Sequence, residues 1–199
     1  MKVCLLGAQG TGKTTLVNLF RKSCNVIDGI ARNVIAHGGV GNQQGDFYSQ
    51  RRIFKDYESA LKVGGALKEG YLSTRSVIDV YAYTKYLEEH HNTELFNAAS
   101  RGERILLMLE VWREMRAIKR WLRKNPDVVI CYIPIQFGVE PDDVRSPDTK
   151  YQLTIDKIMK DTFDKLIEQG YIKHGYTIMG SLDQREKQLK EIIIREKYN

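Results

Sequence analysis

Hydrophobic and polar positions along the chain follow two periods in turn, and this alternation predicts strands separated by helices. Short runs of consecutive apolar residues are typical of strands buried on both faces, whereas apolar residues three and four positions apart are typical of amphipathic helices. The clearest strand, at 127–135 (DVVICYIPI), starts directly after Pro126 and is rich in β-branched residues. The same criteria predict four further strands, at 2–7, 25–28, 71–75 and 176–179.

The intervals between these strands carry a helical pattern, bounded by residues that start or stop helices. Asp46 and Ser181 are candidate N-caps, and Gly64, Gly65 and Gly170 mark helix ends. Strands that alternate with helices predict an α/β fold: a parallel five-stranded sheet with helices on both faces and ligands at the carboxyl ends of the strands. The predicted helices cover about 13–24, 29–37, 46–63, 77–90, 93–124, a stretch ending at 169, and the chain after 181.

Composition narrows the class of protein without deciding its function. The 199 residues, 42% of them hydrophobic, suit a single domain over 1–199 with a lid loop at about 137–148. No apolar run approaches the roughly 20 residues that cross a bilayer, so we expect no membrane segment and a cytoplasmic location. Three cysteines without metal-ligand spacing indicate buried free thiols. The net charge of +6 is compatible with polyanionic partners.

One motif carries specific chemistry. Residues 7–14 read GAQGTGKT, directly after an apolar strand and at the start of a predicted helix. Glycines let the backbone wrap phosphate groups, and the loop amides and helix N-terminus supply hydrogen-bond donors and partial positive charge. In such a P-loop, Lys13 reaches the β- and γ-phosphates of ATP and the Thr14 hydroxyl binds Mg²⁺. The predicted nucleotide-binding residues are Gly7, Gln9, Gly10, Thr11, Gly12, Lys13, Thr14 and Thr15.

Motifs that the sequence lacks narrow the kind of P-loop protein. GTPases normally carry an Asn/Thr-Lys-x-Asp guanine reader, and this sequence has none. Motor-type ATPases are larger and have a hydrophobic strand ending in Asp-Glu, which is also missing. The small size and the charged, proline-bearing segment at 137–148 favour a nucleotide kinase, in which positioning and charge neutralisation carry most of the catalysis.

Further segments follow the P-loop in a recognisable order: IAR at 30–32, RSVIDVYAY at 75–83, DDVRSPD at 142–148 and GSLDQR at 180–185. Together they resemble the small P-loop kinases related to the ribosylnicotinamide kinase domain of the bacterial NAD regulator, a group common in phage genomes. The resemblance implies an ATP-dependent phosphotransferase. Two features differ from the family pattern: the acid near the second strand is Asp28 rather than residue 29, and Thr-Arg-Ser replaces Asp-Arg-Ser after the third strand.

Candidate acceptor-side residues follow the second predicted strand. The Asp28 carboxylate should point into the ligand crevice, where a general base assists transfer to a neutral hydroxyl but not to a phosphate oxygen. A second interpretation is that Asp28 caps the helix starting at 29. Arg32 lies one helical turn later, and it either holds an acceptor phosphate or pairs with Asp28.

Three further arginines complete the predicted site. Arg75 and Asp79 are four positions apart, and they either contact substrate and a magnesium-bound water or form a structural ion pair. Arg145 in the lid is the candidate that stabilises charge on the transferring phosphoryl group. Arg185 either lies over the adenine or packs against the protein.

These features predict a kinase that transfers the γ-phosphoryl group of ATP to a nucleoside or a nucleoside monophosphate. A first alternative is a kinase for the hydroxyl of a hydroxymethylated pyrimidine within phage DNA. A second alternative is a nucleotide-dependent regulatory ATPase without an acceptor. The DNA alternative depends on cations that either form a track for phosphates or a solvated helix face: Arg51, Arg52, Lys55, Arg113, Arg116, Lys119, Arg120, Arg123 and Lys124.

Overall fold

A computed structural model describes residues 1–41, 45–90, 101–136 and 149–198. Its sheet has five strands, and every pairing between neighbours is parallel. The spatial order of the strands is β2-β3-β1-β4-β5. The predicted fold class, a parallel five-stranded α/β sheet, is therefore confirmed. The strands are β1 Lys2–Leu6, β2 Val26–Ile27, β3 Tyr71–Ser73, β4 Val129–Tyr132 and β5 His174–Thr177.

Seven helices lie within the described residues. The Asp46 side chain accepts a hydrogen bond of 2.7 Å from the Ser49 amide, which confirms the predicted N-cap of α3. The predicted lid at 137–148 and the start of the fifth predicted helix, at 93–100, lie outside the described residues. The helices are α1 Lys13–Asn18, α2 Ile30–Ala36, α3 Phe47–Gly65, α4 Val77–His90, α5 Arg101–Lys124, α6 Thr149–Glu168 and α7 Leu182–Tyr198. None of them is long and apolar enough to cross a membrane.

Several predicted boundaries shift in the structure, and two of the shifts have a clear cause. The last strand begins at His174 rather than 176, because pairing with β4 runs from Val129↔His174 to Tyr132↔Thr177 and decides the register. The first helix ends at Asn18 rather than about 24, and the chain continues in tighter turns. A helix over 13–24 would turn the apolar residues Leu16, Leu19 and Phe20 toward the core, but with the shorter helix Leu19 is 48% exposed.

The sheet separates two hydrophobic clusters, and the alternation of side chains along β1 shows how. Cys4 and Leu6 belong to the cluster formed with α3, α4, α5 and α6, whereas Val3 and Leu5 belong to the cluster formed with α1 and α7. All four residues are at most 1% exposed. Because helices cover both faces, ligands have access mainly at the ends of the strands.

Candidate nucleotide-binding and acceptor site

The loop between β1 and α1 has the backbone of a phosphate cradle. Gly10 and Gly12 have φ angles of 78° and 81°, a region that only glycine adopts readily. At Gly7 an added Cβ would lie 2.4 Å from the Ile133 carbonyl oxygen, so the loop passes too close to β4 for any side chain there. The sequence pattern thus reflects three separate backbone requirements, one at each glycine.

Lys13 folds into the loop that precedes it. Its ammonium group donates hydrogen bonds to the carbonyls of Gly7 and Ala8, at 2.7 and 2.6 Å, and to the Thr11 hydroxyl at 3.0 Å. The residue is only 6% exposed. Phosphate oxygens are acceptors of the same kind but carry charge, so a nucleotide would compete well for this ammonium group. Thr14, the predicted Mg²⁺ ligand, is exposed at the mouth of the loop.

The buried carboxylate of Asp79 links the P-loop to the start of α4 through hydrogen bonds. One carboxylate oxygen accepts a hydrogen bond from the Gly7 amide at 3.4 Å, and the other accepts from the amide and hydroxyl of Ser76, at 2.7 and 3.1 Å. Burial raises the pKa of the Asp79 carboxyl, and the positive charges of Arg75 and Lys13 oppose this effect. Since Asp79 is completely buried, its place favours positioning of the P-loop over contact with a magnesium-bound water.

Arg75 joins Asp79 to the ligand crevice. Its guanidinium lies 3.9 Å from an Asp79 carboxylate oxygen, so the ion pair that was one of the two interpretations of these residues is present. The same guanidinium donates to the Tyr83 hydroxyl at 3.4 Å and lies 5.4 Å from the centre of that ring. The ion pair and substrate contact are therefore compatible, since Arg75 also lines the cavity next to the P-loop.

Asp28 lies at the carboxyl end of β2, as predicted, with three donors around it. Arg21 pairs with one oxygen at 2.7 Å, while the Thr74 hydroxyl and the Gly29 amide each donate to the other at 2.8 Å. The N-cap of α2 is Gly29, without a side-chain cap, so the capping interpretation of Asp28 is wrong. Arg21 is a partner that sequence reasoning missed, because nothing in the local pattern links the turns after α1 to the end of β2.

A cavity of about 120 Å³ connects the two groups of residues. On one side it is lined by P-loop residues between Gln9 and Thr15, with the exception of Thr11, and on the other by Asp28, Arg32, Thr74 and Arg75. Arg32 is exposed at its rim. The structure therefore brings the predicted acceptor-side residues next to the predicted phosphate cradle, although they come from different elements.

A second, smaller pocket of about 50 Å³ extends the cavity toward α3 and α4. The two share five lining residues, Gln9, Ala31, Ile35, Tyr57 and Arg75. Gln9 and Arg75 lie at the shared end of the extension, and its other walls are apolar or aromatic side chains together with a second amide: Gln50, Ile53, Tyr57, Val80 and Tyr83.

Gln50 is a candidate site residue that the sequence analysis missed. It is 4% exposed and its side chain lines the pocket. A buried polar side chain in the wall of a largely apolar pocket is typical of a ligand site, where a few polar groups orient the ligand. The available signal was a polar residue at a core position of amphipathic α3, three before Ile53 and seven before Tyr57.

Arg185 and Asp156 approach the P-loop from the other side of the sheet edge. Arg185 is 6% exposed and donates to the Thr11 carbonyl at 2.6 Å. Asp156 on α6, which sequence reasoning missed, accepts from the Ile135 amide at 3.4 Å, and burial raises its pKa against the hydrogen bond from Tyr132. An acid on the buried side of an amphipathic helix was the only signal for Asp156. Arg145 lies outside the described residues.

Taken together, the sheet order, the phosphate cradle and the adjoining crevice define a P-loop protein of the nucleotide-kinase fold. Residues 2–185 match a family model described as AAA domain, so the chain belongs to this AAA-domain family. A comparison with curated proteins found no similar sequence.

Two solved structures share the fold across nearly the whole chain. The thymidylate kinase of Candida albicans has a TM-score of 0.63 and 16% identity, and the alignment covers 98% of this chain and 91% of that one. The deoxyadenosine kinase of M. mycoides, solved with dCMP and a flexible dCDP bound, has a TM-score of 0.59 and 12% identity, with 98% and 100% covered. At these identities the similarity establishes the fold alone.

Proposed function

We propose that this chain is an ATP- and Mg²⁺-dependent kinase that transfers the γ-phosphoryl group to a nucleoside or a nucleoside monophosphate. The observation that carries the proposal is the shared cavity, in which the phosphate cradle faces Asp28, Arg32 and Arg75. A kinase needs donor and acceptor in one space, because transfer requires attacking and leaving oxygens roughly in line. The two kinases with the same fold make a nucleoside-type acceptor the natural first choice.

On the donor side, the loop amides and Lys13 hold the β- and γ-phosphates. Thr14 is exposed beside Lys13, which suits a single hydroxyl ligand to Mg²⁺, an ion that keeps several waters and otherwise binds phosphate oxygens. Bound there, Mg²⁺ neutralises developing charge on the phosphates. Arg145 is proposed to close over the transferring group and add positive charge.

On the acceptor side, the pocket beyond Tyr57 suits a nucleobase: its walls are apolar and aromatic, and Gln50 offers one donor and one acceptor. The sugar or its phosphate then lies near Arg75 and Arg32. For a hydroxyl acceptor, its oxygen forms the new bond to the γ-phosphorus, the bond to the bridging oxygen breaks, ADP leaves, and Asp28 takes the hydroxyl proton. The resemblance to ribosylnicotinamide kinases supports a hydroxyl acceptor.

The two alternatives have less support. Four α5 cations that a DNA track would use are engaged within the protein: Arg113 with Glu110, Arg116 on Trp112, and Lys119 and Arg123 on Tyr171. Because these side chains keep their positive charge in such contacts, they could still attract DNA phosphates, and the DNA alternative remains a hypothesis. A regulatory ATPase would have no use for a second pocket, lined by the buried Gln50 amide, that adjoins the phosphate cavity.

Transfer of labelled phosphate from ATP tests the proposal directly. The purified protein would be given a panel of free nucleosides, nucleoside monophosphates and DNA containing hydroxymethylated pyrimidine. We expect one class of small acceptor to be labelled in the presence of Mg²⁺ and not without it. Hydrolysis of ATP with no labelled acceptor would favour the regulatory ATPase and contradict the proposal.

Labelling of DNA alone would favour the DNA alternative, and salt dependence provides the independent check. Binding through phosphates weakens steeply with salt, by about one unit of log-log slope for each phosphate neutralised. A KM for the acceptor that changes little with salt is the result expected for a nucleoside or a monophosphate.

A further inference from the structure

Arg185 occupies an unusual position for an arginine. It lies in the first turn of α7, only 6% exposed, and its guanidinium contacts three segments far apart in the chain. It donates to the carbonyl of Gly180 at 2.7 Å, to the carbonyl of Thr11 at 2.6 Å and to the side-chain oxygen of Gln136 at 3.2 Å. Burying a guanidinium is costly unless its donors are used, so this arrangement is built by specific contacts.

The contact with Thr11 acts on the phosphate cradle itself. A trans peptide is planar, so its carbonyl and the following N–H point in opposite directions. Holding the Thr11 carbonyl against Arg185 therefore directs the Gly12 amide away from α7 and toward the inside of the loop. It also keeps a partially negative carbonyl away from the phosphates. Gly12 has a φ of 81°, and an added Cβ there would lie 3.4 Å from the Arg185 guanidinium.

Gln136 takes part in the same hydrogen-bond network. We call the group formed by Arg185, Gln136 and the backbone of Thr11 and Gly180 the clasp. The Gln136 side-chain oxygen accepts from Arg185 and also from the Gly180 amide, at 2.7 Å. The clasp thus joins the P-loop to the segment that follows β4 and to the turn between β5 and α7. The packing of α1 against α7 supports the same geometry, because it places the first turn of α7 beside the loop.

We propose that Arg185 is a positioning residue that fixes the Thr11–Gly12 peptide for phosphate binding, rather than a residue that lies over the adenine. The inference rests on the proposed nucleotide binding of the P-loop and deepens it. A residue that positions the loop affects ligands through their phosphates. A residue that stacks on the base affects ligands through their adenine.

Binding of three probes separates these roles: ADP, adenosine and tripolyphosphate, measured by calorimetry on the full chain. For Arg185→Ala we expect ADP and tripolyphosphate each to bind about 10- to 100-fold more weakly, with adenosine changed less than about 2-fold. Arg185→Lys keeps the charge without the planar fork, and we expect an intermediate loss for both phosphate ligands. Lys187→Ala, an exposed charge removal on the same helix, is the matched control and should change nothing.

Opposite outcomes would overturn the inference. Equal weakening of adenosine and ADP, with tripolyphosphate unaffected, would assign Arg185 to the adenine. Unchanged binding of all three probes would make the clasp irrelevant to the nucleotide. If Arg185→Ala unfolds, Arg185→Lys and Gln136→Ala give the same readout in a folded protein. A wild-type chain that binds neither ADP nor tripolyphosphate would contradict the proposed function itself. If the wild type binds both ligands and the Arg185 variant binds them equally well, only the role of Arg185 is contradicted.

Discussion

The two sides of the cavity are built in different ways. The donor side is one continuous loop, residues 7–15, whose key groups are backbone amides and the folded-in Lys13. The acceptor side collects side chains from β2, α2, α3 and the end of β3, and its contacts span long stretches of sequence. The hydrogen bond between Thr74 and Asp28, for example, joins residues 46 positions apart.

This difference reflects the two kinds of ligand. Phosphates are the same in every nucleotide, so a fixed backbone geometry is sufficient to bind them, and glycines encode that geometry locally. An acceptor is recognised by its own polar groups and shape, which requires side chains placed by tertiary packing. Changes on the donor side should therefore affect every substrate alike, and changes on the acceptor side should depend on the acceptor.

The largest effect is expected on the donor side. Lys13→Ala should abolish detectable transfer to any acceptor, because it removes the charge that stabilises the γ-phosphate. The fold should stay intact, since Lys13 contacts loop carbonyls and the Thr11 hydroxyl rather than the hydrophobic core. Steady-state transfer assays and thermal unfolding measure the two properties. Near-normal turnover by this variant would contradict the kinase proposal.

The next effect separates hydroxyl acceptors from phosphate acceptors. If Asp28 is the base for a hydroxyl, Asp28→Asn should lower kcat by roughly 10²–10⁴, the usual share of a positioned base. The loss should shrink as pH rises, because the medium then helps remove the proton. For a monophosphate acceptor, whose oxygen is already anionic, the same change should cost little beyond binding. Rates measured across a pH series distinguish the two cases.

Arg21→Gln is the matched control for Asp28. It removes the 2.7 Å ion pair but leaves the carboxylate, so a rate within a few-fold of wild type is expected. A loss as large as that of Asp28→Asn would mean that the ion pair, and not the base, is what the reaction needs.

A smaller effect, confined to the acceptor, is expected at the second pocket. Gln50→Leu keeps the volume but removes both hydrogen-bonding groups, so the KM for a nucleoside-type acceptor should rise about 10- to 100-fold. The KM for ATP should stay the same, because Gln50 lies beyond the P-loop cavity. Val63→Leu, at an exposed position of the same helix, serves as the control. Equal changes in both KM values would refute a specific acceptor role.

The smallest effect on activity is expected at Glu114, which lines neither the donor side nor the acceptor side of the cavity. This residue of α5 is 1% exposed, and the hydroxyl of Thr84 on α4 donates to one of its carboxylate oxygens at 3.0 Å. Its other oxygen has no hydrogen bond within the described residues. Burial raises the pKa of the Glu114 carboxyl well above its ordinary value. We therefore expect ionisation of Glu114 to affect the free energy of unfolding and not the chemistry of the candidate site.

The sign of the pH dependence follows from that raised pKa. As pH rises above about 4.3, the unfolded chain ionises first, so the free energy of unfolding falls, by at most about 1.4 kcal/mol per pH unit, until the folded-state pKa is passed. Glu114→Gln keeps an acceptor for Thr84 and should remove this decline without changing kcat. Urea unfolding at several pH values measures it; identical pH profiles for wild type and variant would contradict the assignment.

Sequence patterns determined the alternating elements and the phosphate loop, because both depend on local chemistry. The periods of apolar residues predicted five strands, and the range Val77–His90 of α4 was predicted without error. The limits of that reasoning appear where pairing overrides local pattern. The predicted start of β5 was wrong because its partner β4 sets the register. Leu19 was predicted to face the core from its apolar spacing, but it is exposed because α1 ends at Asn18.

Only some of the residues of the candidate site could be predicted from the sequence. Asp28, Arg75 and Asp79 were found because they follow strands whose carboxyl ends meet at one edge. Gln50 and Asp156 were missed, since a polar residue on a buried helix face looks the same in sequence whether it serves a ligand or the fold. Sequence alone determined that the chain has a phosphate cradle, because a local backbone geometry requires a local residue pattern. Only the tertiary structure decided what stands opposite that cradle, and that Arg185 lies beneath it, because packing brings together residues up to 174 positions apart.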